Sequence, residues 1–198
     1  MRDDIKASIL DSFAKREKAA ELQVEKGIVD VGLRSQVTSG KHLDSLVRAI
    51  VRDLCDLGLS PAEILTGNRR TKLPGWFRAT KRWDILGFSG NELVTAIELK
   101  SIYGSYGNNL NNRAEESIGG VVDARYAVEA NLMNCSSPTF AYVLIVKKDA
   151  ESSGMCKNPN EPRFNVDRVF RDKSYVERFM VLCRRLRDRG LYDVFGSL

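Results

Sequence analysis

The feature that most restricts this chain is a change of hydrophobic period. Up to residue 57 the apolar residues recur at helical spacing. Ile5, Ile9 and Phe13 fall four apart, which predicts a helix over residues 2–26 stopped at Gly27. Leu43, Leu46, Val47, Ile50, Val51, Leu54 and Leu57 then form one stripe closed by Gly58. Ser60-Pro61-Ala62-Glu63 carries an N-cap, a proline at the first helical position and a capping-box glutamate, so a short helix is expected there. From Trp83 the period becomes two. Trp83–Phe88 and Glu92–Lys100 read as strands joined by Ser89-Gly90-Asn91, and residues 74–80 are a candidate for a short strand ahead of them. In the second strand Leu93, Ile97 and Leu99 are expected on one face, with Val94, Ala96, Glu98 and Lys100 on the other. Asn112 and Glu115 are placed to cap a helix running to about Asn131. A strand follows over Thr139–Lys147, and a last helix over Ser174–Arg189 with Val176, Phe179, Met180, Cys183 and Leu186 inward. Helix, hairpin, helix, strand predicts a mixed α/β (α+β) fold.

The chain has 198 residues, which suits one domain over 1–198: a helical arm at 1–38, a core at 39–150 and a helical C-terminal part at 151–198. At 43% hydrophobic and 29% charged it is neither disordered nor collagen-like. Its longest apolar run, Phe140–Val146, is far shorter than the ~20 residues of a membrane span. The N-terminal MRDDIKASIL lacks an apolar signal core, so a cytoplasmic protein without a membrane is expected. One histidine, His42, leaves little for histidine-metal chemistry or a Ser-His-Asp arrangement. Cys55, Cys135, Cys156 and Cys183 show no CxxC spacing, so they read as reduced thiols rather than a zinc ribbon. An enzyme built from this chain would work with carboxylates and lysines.

The net charge of +5 is unevenly spread. Residues 1–26 carry six bases and six acids, whereas residues 66–83 carry Arg69, Arg70, Lys72, Arg78, Lys81 and Arg82 with no acid. Residues 163–189 hold nine bases against four acids. Two basic stretches fit either a solvated face or a footprint for a polyanion. Trp76 and Phe77 within the first stretch suit stacking at a nucleic acid, or anchoring of the segment to the core.

The informative residues are Asp84, Glu98 and Lys100. A hairpin centred on Asn91 sets Asp84 across from Glu98, with Cβ atoms roughly 4.5–5.5 Å apart. Lys100 projects from the same face as Glu98. Opposed carboxylates repel unless a cation lies between them, and a divalent ion with oxygen ligands, Mg²⁺, meets that need. The Leu99 carbonyl is a further candidate ligand. Such a cation lowers the pKa of bound water and neutralises a phosphodiester, while Lys100 orients the attacking water. A bare D-x13-E-x-K pattern equally describes ordinary charges on an exposed hairpin. The setting separates the two: a basic stretch runs up to Asp84, and an Asn/Gly-rich loop, Ser101–Asn112, follows Lys100.

LPGWFRATKRWDIL, AIELKS and GNNLNNRAEESIG together resemble the XhoI-like family of type II restriction endonucleases, in order from about Leu73 to Asp123. The resemblance implies a restriction-endonuclease-like PD-(D/E)xK core with a mixed central sheet flanked by helices. It implies a homodimeric, Mg²⁺-dependent nuclease that cuts a palindromic double-stranded DNA site, CTCGAG or a relative, leaving 5′-phosphate ends. It makes Asp84, Glu98 and Lys100 catalytic, the first two as metal ligands, and matches Asp44 to a family acidic position. Asp44 also suits a helix N-terminus by charge alone. Trp83 stands where the general motif has proline, and Ser101-Ile102 follows where Ser-Gln is expected.

Asn108, Asn109, Asn111, Asn112 and Arg113 can bond base edges, since Asn pairs with adenine and Arg with guanine; asparagines also favour turns and caps. Arg69, Arg70, Lys72, Arg78, Lys81 and Arg82 would grip phosphates, which positions without specifying. Two other readings use the same core: a non-catalytic DNA-binding module, and a repair or phage nuclease that reads DNA structure.

Overall fold

A computed structural model describes residues 2–25, 43–67, 70–157 and 163–197. The chain forms two compact units, Met1–Ile64 and Leu65–Leu198. The first contains α1 (Asp3–Glu25) and α2 (Asp44–Asp56). Ser45 ties them by donating to the Ser8 carbonyl and, at 2.8 Å, to Asp11 Oδ2. Ile9, Leu43 and Leu46 are buried, as the stripes require, and so is Ala49, which lies outside them; Val47, Ile50, Val51 and Leu54 are half-buried, and Leu57 is exposed because it follows the last turn as the C-cap. Gly58 then takes φ +105°, open to glycine alone without strain. The Ser60–Glu63 capping box is formed, over a single 3₁₀ turn at Pro61–Glu63.

The second unit is built on a five-stranded sheet in the order β1–β4–β5–β6–β7, with β1 Ile64–Thr66, β4 Ile85–Ser89, β5 Glu92–Ile102, β6 Thr139–Val146 and β7 Val194–Ser197. A separate ribbon pairs β2 (Lys72–Pro74) with β3 (Thr80–Arg82) in antiparallel fashion. The expected strand at 74–80 is thus two strands, with residues 75–79 as the connection between them. β4 and β5 are antiparallel, whereas β5, β6 and β7 run parallel. Parallel neighbours need a crossover, and α3 (Tyr106–Glu129) supplies it between β5 and β6. β6 lies inside the sheet, which explains its unbroken apolar sequence. Helix α4 (Ala150–Ser153) is one turn, and α5 (Tyr175–Asp188) begins at a Ser174–Glu177 capping box. Val181 is buried on α5 beside the expected Phe179, Cys183 and Leu186, while Val176 and Met180 are only half-buried. Trp83, Leu86, Leu93, Ala96, Ile102, Phe140, Tyr142 and Leu144 meet Val121 and Ala124 of α3 and Phe179, Cys183 and Leu186 of α5 in one core. This is the mixed α+β, helix-flanked sheet that the sequence predicts. No helix among the described residues is long and apolar enough to cross a membrane.

Two boundaries differ from expectation. The helix after β5 starts at Tyr106, six residues before the predicted cap at Asn112. Tyr106 is buried, donates to Asp149 Oδ2 at 2.6 Å and stacks on Tyr175 with centroids 5.8 Å apart. That packing outweighs the weak helix preference of the asparagines. The hairpin also turns on two residues, Gly90 and Asn91, with Gly90 at φ +60° as a II′-type turn requires. A bulge then makes Val94 an extra residue between the Phe88–Leu93 and Gly87–Thr95 pairs. Leu93 is thereby moved to the face of Ala96, correcting its expected grouping with Ile97 and Leu99.

Candidate active site

The bulge restores the register that matters. Beyond it Leu86 pairs with Ala96 and Ile85 with Ile97, and the Asp84 N–H donates to the Ile97 carbonyl at 3.0 Å. Asp84 therefore stands at the start of β4 beside Glu98. Its Oδ2 accepts from the Leu99 N–H at 2.6 Å. No basic side chain among the described residues lies within ion-pair distance of it. Burial and the neighbouring Glu98 charge push the Asp84 carboxyl above the usual range, although the Leu99 N–H and the two nearby lysines oppose this.

Glu98 is buried at the centre of the cluster. Lys81 Nζ contacts its Oε2 at 2.6 Å, and Lys100 pairs with its Oε1. Burial alone would raise its pKa, but Lys100 and Lys81 outweigh burial and hold Glu98 below the carboxylate range, so it is ionised. The cluster thus holds two carboxylates and two ammonium groups. Glu98 is doubly paired, whereas Asp84 is held by the Leu99 N–H and feels the two lysines only through space. This donor set fits a hard divalent cation shared by Asp84 and Glu98. Among the described residues no group of three or more His, Cys, Asp or Glu side chains could hold a metal, so such an ion would draw on these two carboxylates and main-chain or solvent oxygen.

The restriction endonuclease XhoI family matches residues 22–196. This chain belongs to that family. It is 40% identical over 161 residues to the type II restriction enzyme XhoI of Xanthomonas vasicola, covering 80% of this chain and 65% of that protein. It is 38% identical over 164 residues to the type II restriction enzyme BstVI of Geobacillus stearothermophilus, covering 79% and 72% of the two chains. It is 35% identical over 165 residues to the type II restriction enzyme AbrI of Azospirillum brasilense, covering 83% and 74%. The chain therefore spans just under two thirds of the Xanthomonas enzyme and somewhat more of the other two. No solved structure is significantly similar to it.

The remaining residues singled out in this family member divide sharply. Arg70, Lys72 and Arg82 are exposed on or beside the β2–β3 ribbon. Arg78 and Lys81, expected with them as phosphate contacts, pair with acids, Arg78 at the surface and Lys81 largely covered. Arg78 Nε donates to Asp123 Oδ2 at 2.7 Å, and the Phe77 N–H donates to Oδ1 at 2.7 Å. Burial raises the Asp123 pKa, but Arg78 and the Phe77 N–H hold it below the usual range. A Cβ on Gly75 would come within 2.5 Å of Asp123, so the ribbon's connection needs glycine there. Trp76 and Phe77 are exposed, and the Phe77 ring meets Tyr126 edge-on at 5.5 Å. Asn108, Asn111 and Asn112 lie exposed on α3 at helical spacing and form a polar face with Glu115. Asn109 departs from that face, donating to the Gly104 carbonyl at 2.7 Å. Arg113 is mostly covered and pairs with Glu116 at 2.9 Å. Asp44 is exposed in the first turn of α2, in the other unit. Arg69 and His42 lie outside the described residues. Sequence reasoning missed Lys81 as a partner of Glu98 and Asp123 as a buried acid. The signal for the first was its two-residue spacing from Trp83, which sends both side chains to one side of the chain.

Proposed function

We propose that this protein is a type II restriction endonuclease: a Mg²⁺-dependent enzyme that hydrolyses phosphodiester bonds at a specific palindromic site in double-stranded DNA and leaves 5′-phosphate ends. The observation that carries the reading is the convergence of Asp84, Glu98 and Lys100 in a single cluster. Asp84, Glu98 and the Leu99 carbonyl would hold the metal. An extended residue sends its N–H and C=O to the same strand edge, and the Leu99 N–H already meets Asp84. When bound, Mg²⁺ supplies a water of lowered pKa and neutralises charge on the phosphate. Lys100 offers ammonium N–H donors that orient the attacking water and take up charge building on the phosphoryl oxygens. Water attacks phosphorus, the P–O3′ bond breaks, and the leaving oxygen takes a proton to become the 3′-hydroxyl.

Arg70, Lys72 and Arg82, with Arg69, would contact phosphates. Asn108, Asn111 and Asn112 occupy one helical face and would read base edges; Arg113 and Asn109 would adjust that face. A palindromic site pairs naturally with a homodimer. CTCGAG or a relative is the site expected, and the cytoplasm the compartment. The organisation is read as one nuclease chain with its core at 39–150.

The test is digestion of a sequenced plasmid with and without Mg²⁺, followed by end-mapping, using wild-type protein and Glu98→Ala. Discrete fragments that share a palindrome, absent without Mg²⁺ and absent with the variant, are expected. Smeared products, or equal cleavage by Glu98→Ala, would sink the reading.

A further inference from the structure

Lys81 stands outside the three-residue signature, yet it is the side chain most firmly built into the cluster. Its ammonium contacts Glu98 Oε2 at 2.6 Å and donates to the Arg82 carbonyl at 3.1 Å. It lies 4.1 Å from the centroid of the buried Trp83 ring, a cation–π distance. Its aliphatic stem runs over Gly120 of α3, where a Cβ would come within 2.7 Å of Lys81 Cε. A strand, an aromatic ring and a helix with no side chain at the crossing therefore fix one lysine. Lys100 differs. Its side chain is 25% exposed against 11% for Lys81, and Glu98 Oε1 is its one ion-pair partner among the described residues.

We propose that Lys81 is a positioning residue: anchored between Trp83 and Gly120, it fixes the Glu98 carboxylate through Oε2 and leaves Oε1, the oxygen shared with the looser Lys100, to face a divalent cation. This rests on the metal-site reading above. It gives the two lysines separate duties. Lys81 keeps Glu98 aimed, and Lys100 is the one free to exchange Glu98 for substrate.

The sign of one measurement decides it. A cation near a second positive charge is repelled, so if Lys81 acted only through its charge, removing it would tighten metal binding. Removing a support that orients a ligand weakens metal binding instead, by about 10–100-fold. Mn²⁺ is titrated calorimetrically into the full chain without DNA, using wild type, Lys81→Met, Gly120→Ala and Glu98→Ala. Gly120→Ala keeps the charge but occupies the space of the Lys81 stem. Both Lys81→Met and Gly120→Ala are expected to weaken Mn²⁺ binding by about tenfold or more. Wild-type or tighter binding by either overturns the proposal. Glu98→Ala separates the two levels: if it also binds Mn²⁺ like wild type, the metal-site reading fails; if it loses binding while Lys81→Met does not, only the role of Lys81 fails.

Discussion

The two basic stretches look alike as sequence and fold to opposite ends. In residues 66–83, Lys81 turns inward onto Glu98 and Arg78, itself exposed, pairs with the buried Asp123, leaving Arg70, Lys72 and Arg82 outside. In residues 163–189 the arginines of the last helical turns, Arg184, Arg185, Arg187 and Arg189, all stay exposed, and Arg185 pairs with Asp167 at the surface. The difference follows from what lies nearby. The first stretch is a short ribbon beside two buried carboxylates, and each buried charge requires a partner. The second ends in an amphipathic helix whose bases, apart from the buried Arg178, face water together with its acids. Basic composition alone therefore does not distinguish a charge that shapes a site from one that merely faces water.

Substitutions in the two stretches should consequently differ in size and kind. Lys100→Ala, which removes the exchangeable member of the inward cluster, is expected to lower single-turnover DNA cleavage by roughly 10²–10⁴-fold. Duplex binding in Ca²⁺ should persist; retained cleavage would show that the cluster is structural. Asp123→Ala leaves Arg78 and the Phe77 N–H without their acceptor and should lower stability by roughly 1–3 kcal/mol in urea titration. An unchanged midpoint would mean that the ribbon is held by its backbone alone. In the outward stretch, Ser174→Ala removes the α5 cap, at a cost of about 1 kcal/mol. The Ser174 N–H, Lys173 and the Ser174 hydroxyl hold Glu177 at about 2 rather than 4.5. Because the folded pKa is depressed, its contribution is present above pH 4.5 and disappears as the pH falls toward 2. The stability gap between wild type and Glu177→Gln should close over that window. The smallest effects separate exposed from exposed. Arg82→Ala should reduce the slope of log affinity against log salt by about 0.9, the signature of one lost phosphate contact. Arg185→Ala should change stability by no more than about 0.5 kcal/mol.

Local chemistry made parts of this molecule legible. The Ser60–Glu63 box marked its helix start because that cap is settled within four residues, and the last helix was legible from its apolar spacing, with its Ser174–Glu177 box found only in the structure. The opposition of Asp84 and Glu98 was legible as well, although the turn centre was not: the bulge offset a turn that is tighter than expected. What stayed hidden was settled by distant partners. Helix α3 begins at Tyr106 because Asp149 and Tyr175 grip that ring from elements more than forty residues away. Strand β7, four residues long, earns its place only by lying beside β6. Lys81 counts among the cluster because Gly120, on another element, leaves room for it.

Val94 uncouples the tip of the hairpin from its base. Side chains on either side of that surplus residue keep separate parity, so the tip can settle Leu93 against the hydrophobic interior while the far end presents Glu98 and Lys100 together. Adding a residue opposite Val94, between Gly87 and Phe88, would straighten the strand and force a choice between the two, either ejecting a leucine or reversing the acid and its lysine, whereas excising Val94 would leave both in place.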